Sequence, residues 1–421
     1  MTYNLSSLFE RVARTIPDRT AMVTPARRLT YAELDDRANH LAGALSDRGL
    51  GPGSLLGLQL RNGTEYVEGM LAAFKLRAVP VNINYRYVAD ELAHLYADSE
   101  ITALMVDADL LPAVREAKAR TTDRIAHVLA VGVSPSIIGT GEAEYESVLE
   151  SATGLAAEPN RSGDDLYLAY TGGTTGLPKG VLWRHEDIFF AAMGGGDPTT
   201  ALGPIATPDE LVERLPEVGI VMLSAPPLVH VSAQWGAFST LFGGGTLVLL
   251  PPGPIDPNRT WSMVEAERVN VLTVVGDAMA RPLLDFLAAH PDDHDVSSLF
   301  VFASGGAVLS PASKEQIGEL LPNVITIDGY GSTETGISGT RARFPGAPVD
   351  QSTRFSASES VCVVDDDFVP VEPGSGVVGH LVRRGRLPLG YHHDPEKTAA
   401  TFVTRNGERW ALSGDEAMVE A

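Results

Sequence analysis

Short apolar runs alternate with amphipathic segments along the first third of the chain. Three of the runs have the length of buried strands, at residues 54–60, 79–83 and 103–108. Residues 64–78 instead carry apolar positions at helical spacing, and Thr30 with Glu33 three residues later forms a capping-box pattern that predicts another helix start. Strands buried on both faces that alternate with helices predict a mostly parallel sheet.

The alternation resumes after residue 165 and changes again near residue 350, where short strands are separated by Pro and Gly turns. We therefore predict an α/β fold with two helix-flanked, mostly parallel sheets and a smaller antiparallel β subdomain. The predicted parts are residues 1–165, residues 166–349, which include a glycine-rich loop, and residues 350–421.

Composition restricts the classes of ligand. The 421 residues contain 32 Lys and Arg against 54 Asp and Glu, a formal net charge of −22, which argues against binding nucleic acid or an anionic membrane. Cys362 is the single cysteine, so an internal disulfide framework is excluded. Since neither a signal segment nor an apolar run of membrane-spanning length occurs, we expect a cytoplasmic protein. The oligomeric state stays open, a homodimer included.

One loop has the composition of an anion site. Residues 170–180 read YTGGTTGLPKG, which combines glycines, hydroxyls and one lysine. Glycines allow backbone N–H groups to converge on a phosphate, to which hydroxyl and ammonium groups add donors. The loop is not a Walker A motif, because Pro178 precedes Lys179 and Gly180 follows it. On this segment alone, a surface loop without a ligand remains an alternative.

Four further segments place small or functional residues after apolar runs. They are DGYGSTETG (328–336), FASGGAVLS (302–310), PPLVHVSAQWGAF (226–238) with His230, and RWALSGDEA (409–417) with Asp415. Strand ends are where parallel sheets bind ligands, and Tyr330 offers a face for stacking a purine while Glu334 offers a ligand for Mg²⁺. Taken singly, each is also compatible with an ordinary turn or core residue.

The order of these five segments is similar to that of the acyl-adenylate-forming enzymes, which include acyl-CoA synthetases, firefly luciferase and nonribosomal-peptide adenylation domains. GYHHDPEKTAATF (390–402) also resembles the family pattern GY-x-x-x-P-E-x-T. The resemblance extends from Leu5 to Asp415. Residues 226–238 and the segment VVGDAMARPLL are most similar to actinobacterial fatty-acyl or steroid-side-chain CoA ligases.

The resemblance implies ATP, Mg²⁺ and the cosubstrate coenzyme A, and it assigns site residues. The catalytic set would be Lys179, His230, Thr333 and Glu334. Nucleotide binding would involve the loop residues Thr171, Gly172, Gly173, Thr174, Thr175, Gly176 and Lys179, then Gly305, Gly306 and Ala307, then Asp328, Gly329, Tyr330, Gly331, Ser332 and Thr333, and finally Asp415 on the ribose. Thr171 and Glu334 would hold the metal. Position 172 is often serine in the family, so with Gly172 a hydroxyl contact there would be missing or replaced by a backbone amide.

The implied function is ATP-dependent acyl-CoA synthesis from a medium-chain, long-chain or bulky hydrophobic carboxylic acid. Relatives continue beyond the equivalent of residue 421 into a small C-terminal domain with a lysine, and no similar segment occurs here. We therefore expect the 421-residue chain to be catalytically impaired. Two alternatives remain: a non-catalytic module that binds ATP or an acyl-adenylate, and a phosphate-releasing NTPase.

Overall fold

A computed structural model describes residues 2–121, 124–132, 137–155, 160–172, 178–197, 202–350, 352 and 354–421. The helices in these ranges are α1 (Leu5–Thr15), α2 (Tyr31–Asp47), α3 (Thr64–Lys75), α4 (Ala89–Ser99), α5 (Leu111–Lys118), α6 (Tyr145–Ser151), α7 (His185–Ala192), α8 (Glu210–Glu213), α9 (Val231–Phe242), α10 (Pro257–Ala266), α11 (Gly276–Ala289), α12 (Pro311–Leu320) and α13 (Pro395–Thr401).

The strands are β1 (Thr20–Val23), β2 (Arg28–Thr30), β3 (Leu55–Gln59), β4 (Val79–Asn82), β5 (Ala103–Asp107), β6 (His127–Val131), β7 (Glu142–Glu144), β8 (Leu166–Thr171), β9 (Lys179–Arg184), β10 (Val221–Ser224), β11 (Thr246–Leu249), β12 (Val271–Val274), β13 (Val301–Gly305), β14 (Ile325–Ser332), β15 (Gly336–Arg343), β16 (Ser356–Ala357), β17 (Val361–Val364), β18 (Gly379–Arg384), β19 (Gly390–Tyr391), β20 (Phe402–Arg405) and β21 (Glu408–Ala417).

Three sheets organise these strands. An eight-stranded sheet has the order β19-β9-β8-β4-β3-β5-β6-β7, and a nine-stranded sheet has the order β16-β15-β14-β13-β12-β10-β11-β1-β2. Both are parallel in the middle and antiparallel only at their edges. A four-stranded antiparallel sheet, β17-β18-β21-β20, completes the fold. The predicted fold class is confirmed.

Local sequence explains where α2 begins and why β4 is buried on both faces. At the start of α2, Thr30 accepts a hydrogen bond from the backbone N–H of Glu33 while the Glu33 carboxylate accepts one from Thr30 N, so the predicted capping box is present. The buried strand β4 shows no alternation of burial, as expected inside a parallel sheet covered on both faces.

The two large sheets share one apolar core. The largest buried cluster includes Leu58 of β3 and Leu247 of β11, together with Phe74 of α3 and Phe238 of α9. The rings of Phe74 and Phe238 lie 5.7 Å apart, centroid to centroid. In the described ranges, no helix is both long enough and apolar enough to span a membrane.

The sheets do not follow the predicted division of the chain at residues 165 and 349. β8 and β9 follow the first boundary yet pair within the eight-stranded sheet, while β1 and β2 precede it and form an edge of the nine-stranded sheet. Residues 390–391, as β19, likewise join the eight-stranded sheet. Adjacent strands in these sheets are often distant along the chain, so a change in sequence texture does not locate a sheet boundary.

Candidate active site

The glycine-rich loop connects two antiparallel strands. Thr171 ends β8 and Lys179 begins β9, and these two residues are register partners in the hairpin. Gly172 follows Thr171 and is exposed. The predicted loop residues Gly173, Thr174, Thr175 and Gly176 lie outside the described residues. The structure thus places both ends of the predicted phosphate loop at one edge of the eight-stranded sheet.

Asn82, at the end of β4, fixes the backbone next to this loop. Its side-chain amide donates to the carbonyl oxygens of Tyr170, at 2.7 Å, and Val229, at 2.9 Å, and its oxygen accepts from Tyr170 N at 2.7 Å. Asn82 is buried. It therefore joins the strand that leads into the loop to the segment that carries His230.

Lys179 forms an ion pair with Asp394, the residue that caps α13. The Lys179 ammonium and the backbone N–H of Lys397 hold the pKa of Asp394 below its usual range. The lysine that the sequence assigns to ATP phosphates is thus already paired with a carboxylate, which a phosphate would have to replace.

The turn between β14 and β15 contains Thr333 and Glu334. Trp183 of β9 donates its indole N–H to the Thr333 carbonyl oxygen at 2.9 Å, and Tyr391 of β19 donates its hydroxyl to Glu334 Oε1 at 2.7 Å. Burial and the hydrogen bond to the Glu334 carboxylate raise the pKa of Tyr391. These contacts bring the predicted metal ligand to the hairpin that carries Lys179.

Tyr330 and Asp415, which the sequence assigns to the adenine and the ribose, hydrogen-bond to each other through the phenol and the carboxylate. Burial and the bond to Asp415 raise the pKa of Tyr330 to about 12. The Tyr330 ring also lies 5.5 Å from the ring of Phe355, centroid to centroid. The two residues are therefore close enough to contact one nucleoside together.

Gly305 ends β13 and is the register partner of Gly329 on β14. A methyl group in place of the Gly305 hydrogen would meet no atom within 4 Å, so open space lies over this backbone. Gly306 and Ala307 follow and are exposed. The arrangement leaves room for the planar ring that the sequence places here.

Three residues of the 328–332 motif have contacts within the protein itself. Gly331 is required by strand pairing itself, because a methyl group there would lie 2.1 Å from the Gly336 carbonyl oxygen. Ser332 hydrogen-bonds within the turn, where its hydroxyl lies 3.1 Å from that of Thr335. Asp328 is buried and forms an ion pair at 2.6 Å with Lys314 of α12.

Two cavities meet at His230, which caps the start of α9. The smaller, about 390 Å³, is lined by Thr171 and Gly172 of the loop and by His230. The larger, about 630 Å³, is lined by His230 and by residues that include Arg86 and Arg259. Desolvation and the Arg86 charge lower the pKa of His230, which therefore stays neutral at neutral pH.

The residues fit a magnesium ion that arrives with ATP. No cluster of three or more His, Cys, Asp or Glu side chains suited to a metal occurs in the part of the chain that the structure describes. Protein Mg²⁺ sites commonly use one or two carboxylates together with substrate phosphates. Glu334 would supply such a carboxylate and Thr171 a hydroxyl. His392 and His393 stack on each other with ring centroids 3.8 Å apart and belong to no metal-binding cluster among the described residues.

Four residues with structural contacts to this site are not assigned to it by the sequence: Asn82, Lys314, Tyr391 and Asp394. For Asn82 there is a signal, because it is a polar residue at the end of an otherwise apolar strand, VPVN. Tyr391 and Asp394 belong to the segment 390–402 that resembles the family pattern, but that pattern does not indicate their partners, Glu334 and Lys179. For Lys314, no local pattern indicates the ion pair with Asp328. The ligand contacts of all predicted site residues stay predictions.

Comparison with known proteins identifies relatives over the whole chain. The model of the AMP-binding enzyme family matches residues 9–392. The chain is 39% identical over 435 residues to a 3-oxocholest-4-en-26-oate–CoA ligase of Rhodococcus rhodochrous, with 100% of this chain and 76% of that protein covered.

A medium/long-chain-fatty-acid–CoA/3-oxocholest-4-en-26-oate–CoA ligase of Mycolicibacterium smegmatis is 40% identical over 427 residues, with 100% and 77% covered. Among solved structures, the anthranilate CoA ligase AuaEII in complex with anthranoyl-AMP is similar with a TM-score of 0.83 and 24% identity, over 100% of this chain and 76% of that one. At that identity the likeness concerns the fold.

Proposed function

The chain belongs to the AMP-binding enzyme family, and we propose that it is an AMP-forming acyl-CoA ligase whose acid is a medium-chain, long-chain or bulky hydrophobic carboxylic acid. The single observation that carries the proposal is the cavity in which Thr171 and Gly172, at the start of the phosphate loop, face His230. The substrate class is supported by the relatives, whose names specify fatty and steroid-derived acids.

The first half of the reaction joins the acid to AMP. A carboxylate oxygen attacks the α-phosphorus of ATP, the bond from that phosphorus to the bridging oxygen breaks, and pyrophosphate leaves. Two anions must approach each other, so the chain's contribution is charge neutralisation and alignment. Lys179 and the loop N–H groups would bind phosphate oxygens, Glu334 would hold Mg²⁺, and neutral His230 would lie beside the acid without adding a negative charge.

The second half transfers the acyl group to coenzyme A. The thiol sulfur bonds to the acyl carbon, the bond from that carbon to the AMP oxygen breaks, and the thiol proton is released. Coenzyme A carries several phosphates, and the larger cavity would receive them through Arg86 and Arg259, which line it together with Asp256. Neither Arg86 nor Arg259 forms an ion pair within the described ranges, whereas Arg61 nearby is paired with Asp107 at 3.0 Å.

Calorimetric titration with Mg·ATP tests the nucleotide site, and acid-dependent exchange of labelled pyrophosphate into ATP tests the chemistry. We expect saturable Mg·ATP binding that weakens at least tenfold in Lys179→Ala and Glu334→Ala. Glu142→Ala is the matched control, because it removes a carboxylate that pairs with Arg115 in another part of the fold.

The substrate panel would comprise acetate, octanoate, palmitate, benzoate and a steroid with a carboxylated side chain. Exchange that is strongest with octanoate, palmitate or the steroid acid supports the proposal. Exchange confined to acetate or benzoate would refute the substrate class, and orthophosphate release without exchange would refute the reaction.

A further inference from the structure

Tyr391 lies on a backbone that is fixed to the phosphate-loop hairpin. β19 pairs with β9 through the register partners Gly390–Leu182 and Tyr391–Val181. One residue later, the backbone N–H of His392 donates to the Gly180 carbonyl oxygen at 2.8 Å, which continues the pairing beyond β19. The position of Tyr391 is therefore set by the strand that begins with Lys179.

Tyr391 is also held by contacts that do not involve the carboxylate it meets. Its backbone N–H donates to Thr398 Oγ1 at 2.8 Å, its ring lies 6.0 Å from that of Phe402, and the Lys397 ammonium lies 4.2 Å from the ring centroid. The residue is buried. These contacts therefore hold the hydroxyl donor in place independently of Glu334.

We propose that Tyr391 is a positioning residue for Glu334, which orients that carboxylate toward the magnesium ion that accompanies ATP. The Tyr391 hydroxyl donates to Glu334 Oε1 at 2.7 Å, while Glu334 Oε2 has no protein donor among the described residues. The inference rests on the proposed function and on the predicted role of Glu334. Neighbours that fix a metal-binding carboxylate typically change metal affinity by about 10- to 100-fold when they are lost.

The hydroxyl can act as a donor over the working range of pH. A phenol ordinarily titrates only at about pH 10, so the hydroxyl has a proton to donate at neutral pH. A protonated phenol donates one hydrogen bond without adding charge to the site, and the negative charge of Glu334 stays available to a cation.

The test removes the Tyr391 hydroxyl and keeps the aromatic ring. Tyr391→Phe retains the packing against Phe402 and Lys397. Tyr145→Phe is the matched control, since its buried hydroxyl also donates to a carboxylate, Glu68, in another part of the fold. Glu334→Gln is the reference for losing the metal ligand itself.

Metal binding is measured directly, with Mn²⁺ as the probe. Electron paramagnetic resonance reports free Mn²⁺ during titration of the full chain with ATP present, and calorimetry reports ATP binding in EDTA. We expect Tyr391→Phe to weaken Mn²⁺ binding about tenfold, to leave metal-free ATP affinity within about twofold, and to add no further loss to Glu334→Gln. Tyr145→Phe should match the wild type in both measurements.

The outcomes separate this inference from the proposed function. If Glu334→Gln weakens Mn²⁺ binding and Tyr391→Phe does not, the positioning role is refuted while the nucleotide site stands. If Tyr391→Phe loses as much ATP affinity in EDTA as it loses Mn²⁺ affinity, Tyr391 has only a structural role, and the positioning role is again refuted. A wild-type chain that binds no ATP at millimolar concentration would refute the proposed function, and this inference with it.

Discussion

Replacing Asn82 by Ala should weaken both the fold and the nucleotide site. The substitution removes three hydrogen bonds, of 2.7, 2.7 and 2.9 Å, and leaves the N–H and C=O of Tyr170 and the C=O of Val229 without this partner. At about 0.5–1.5 kcal/mol for each of the three bonds, the free energy of unfolding should fall by about 1.5–4.5 kcal/mol.

The expected change in melting temperature follows from chain length. An unfolding entropy of about 2.1 cal/mol/K per residue gives roughly 0.9 kcal/mol/K for 421 residues, so the midpoint should fall by about 2–5 °C. Because Tyr170 directly precedes Thr171, loss of the fixed backbone should also weaken Mg·ATP binding, by about tenfold. Differential scanning calorimetry and isothermal titration of the same samples measure the two effects.

Asn270→Ala provides the matched control. The Asn270 side chain also joins two segments, accepting from Val221 N at 2.9 Å and donating to the Ser298 carbonyl oxygen at 3.2 Å, but in the nine-stranded sheet and outside both cavities. We expect a similar loss of stability with Mg·ATP affinity within twofold of the wild type. If Asn82→Ala lowers the melting temperature without changing the affinity, or changes neither, the reasoning is wrong.

Three further predictions concern the ion pair of Lys179, the open space over Gly305 and the protonation of His185. Asp394→Asn keeps a helix-capping side chain but frees Lys179, so calorimetry should show Mg·ATP binding about two- to fivefold tighter; weaker binding would mean that Asp394 aligns the lysine. Gly305→Val projects into open space, so the melting temperature should stay within about 1 °C while Mg·ATP affinity falls at least tenfold; unchanged affinity would exclude the adenine from this position. Burial lowers the pKa of His185 to about 4 from an ordinary 6.5, so the unfolded chain binds a proton that the folded chain does not. Urea unfolding should therefore show stability that is complete above about pH 6.5 and falls by up to about 1.4 kcal/mol per pH unit toward pH 4, a slope that His185→Phe should reduce.

The fold was predictable from local pattern because each element carries its own signal. Apolar runs predict β3, β4 and β5 within one or two residues of their observed bounds, and Thr30 with Glu33 predicts the start of α2. The glycine-rich loop follows β8 and Gly305 ends β13, as expected of ligand sites in parallel sheets, whereas residues 328–332 form the second part of β14, which continues through the motif. These inferences need only residues that are neighbours along the chain.

The contacts that arrange the candidate site were not predictable in the same way. Tyr391 and Glu334 are 57 residues apart, and Lys179 and Asp394 are 215 apart. Neither pair belongs to a repeating pattern, and each exists because β19 returns from the distant end of the chain to the edge of the eight-stranded sheet. The choice of that edge depends on the packing of the whole fold, which local periodicity does not report.

The negative net charge of the chain opposes the binding of ATP at the proposed site. A protein with a formal charge of −22 must bind a nucleotide that is itself strongly anionic, yet Lys179 is paired with Asp394 and Lys314 with Asp328. The remaining positive potential at the loop would have to come largely from backbone N–H groups and from the metal ion that accompanies ATP.

Nucleotide binding should for this reason depend steeply on the metal, and the orientation of a single carboxylate should matter more than in a site rich in arginine. Glu334 is the carboxylate predicted for this role, and its hydrogen-bond donor within the described ranges is Tyr391. The Tyr391 hydroxyl should therefore affect nucleotide affinity, although Tyr391 lies far from the phosphate loop in the sequence.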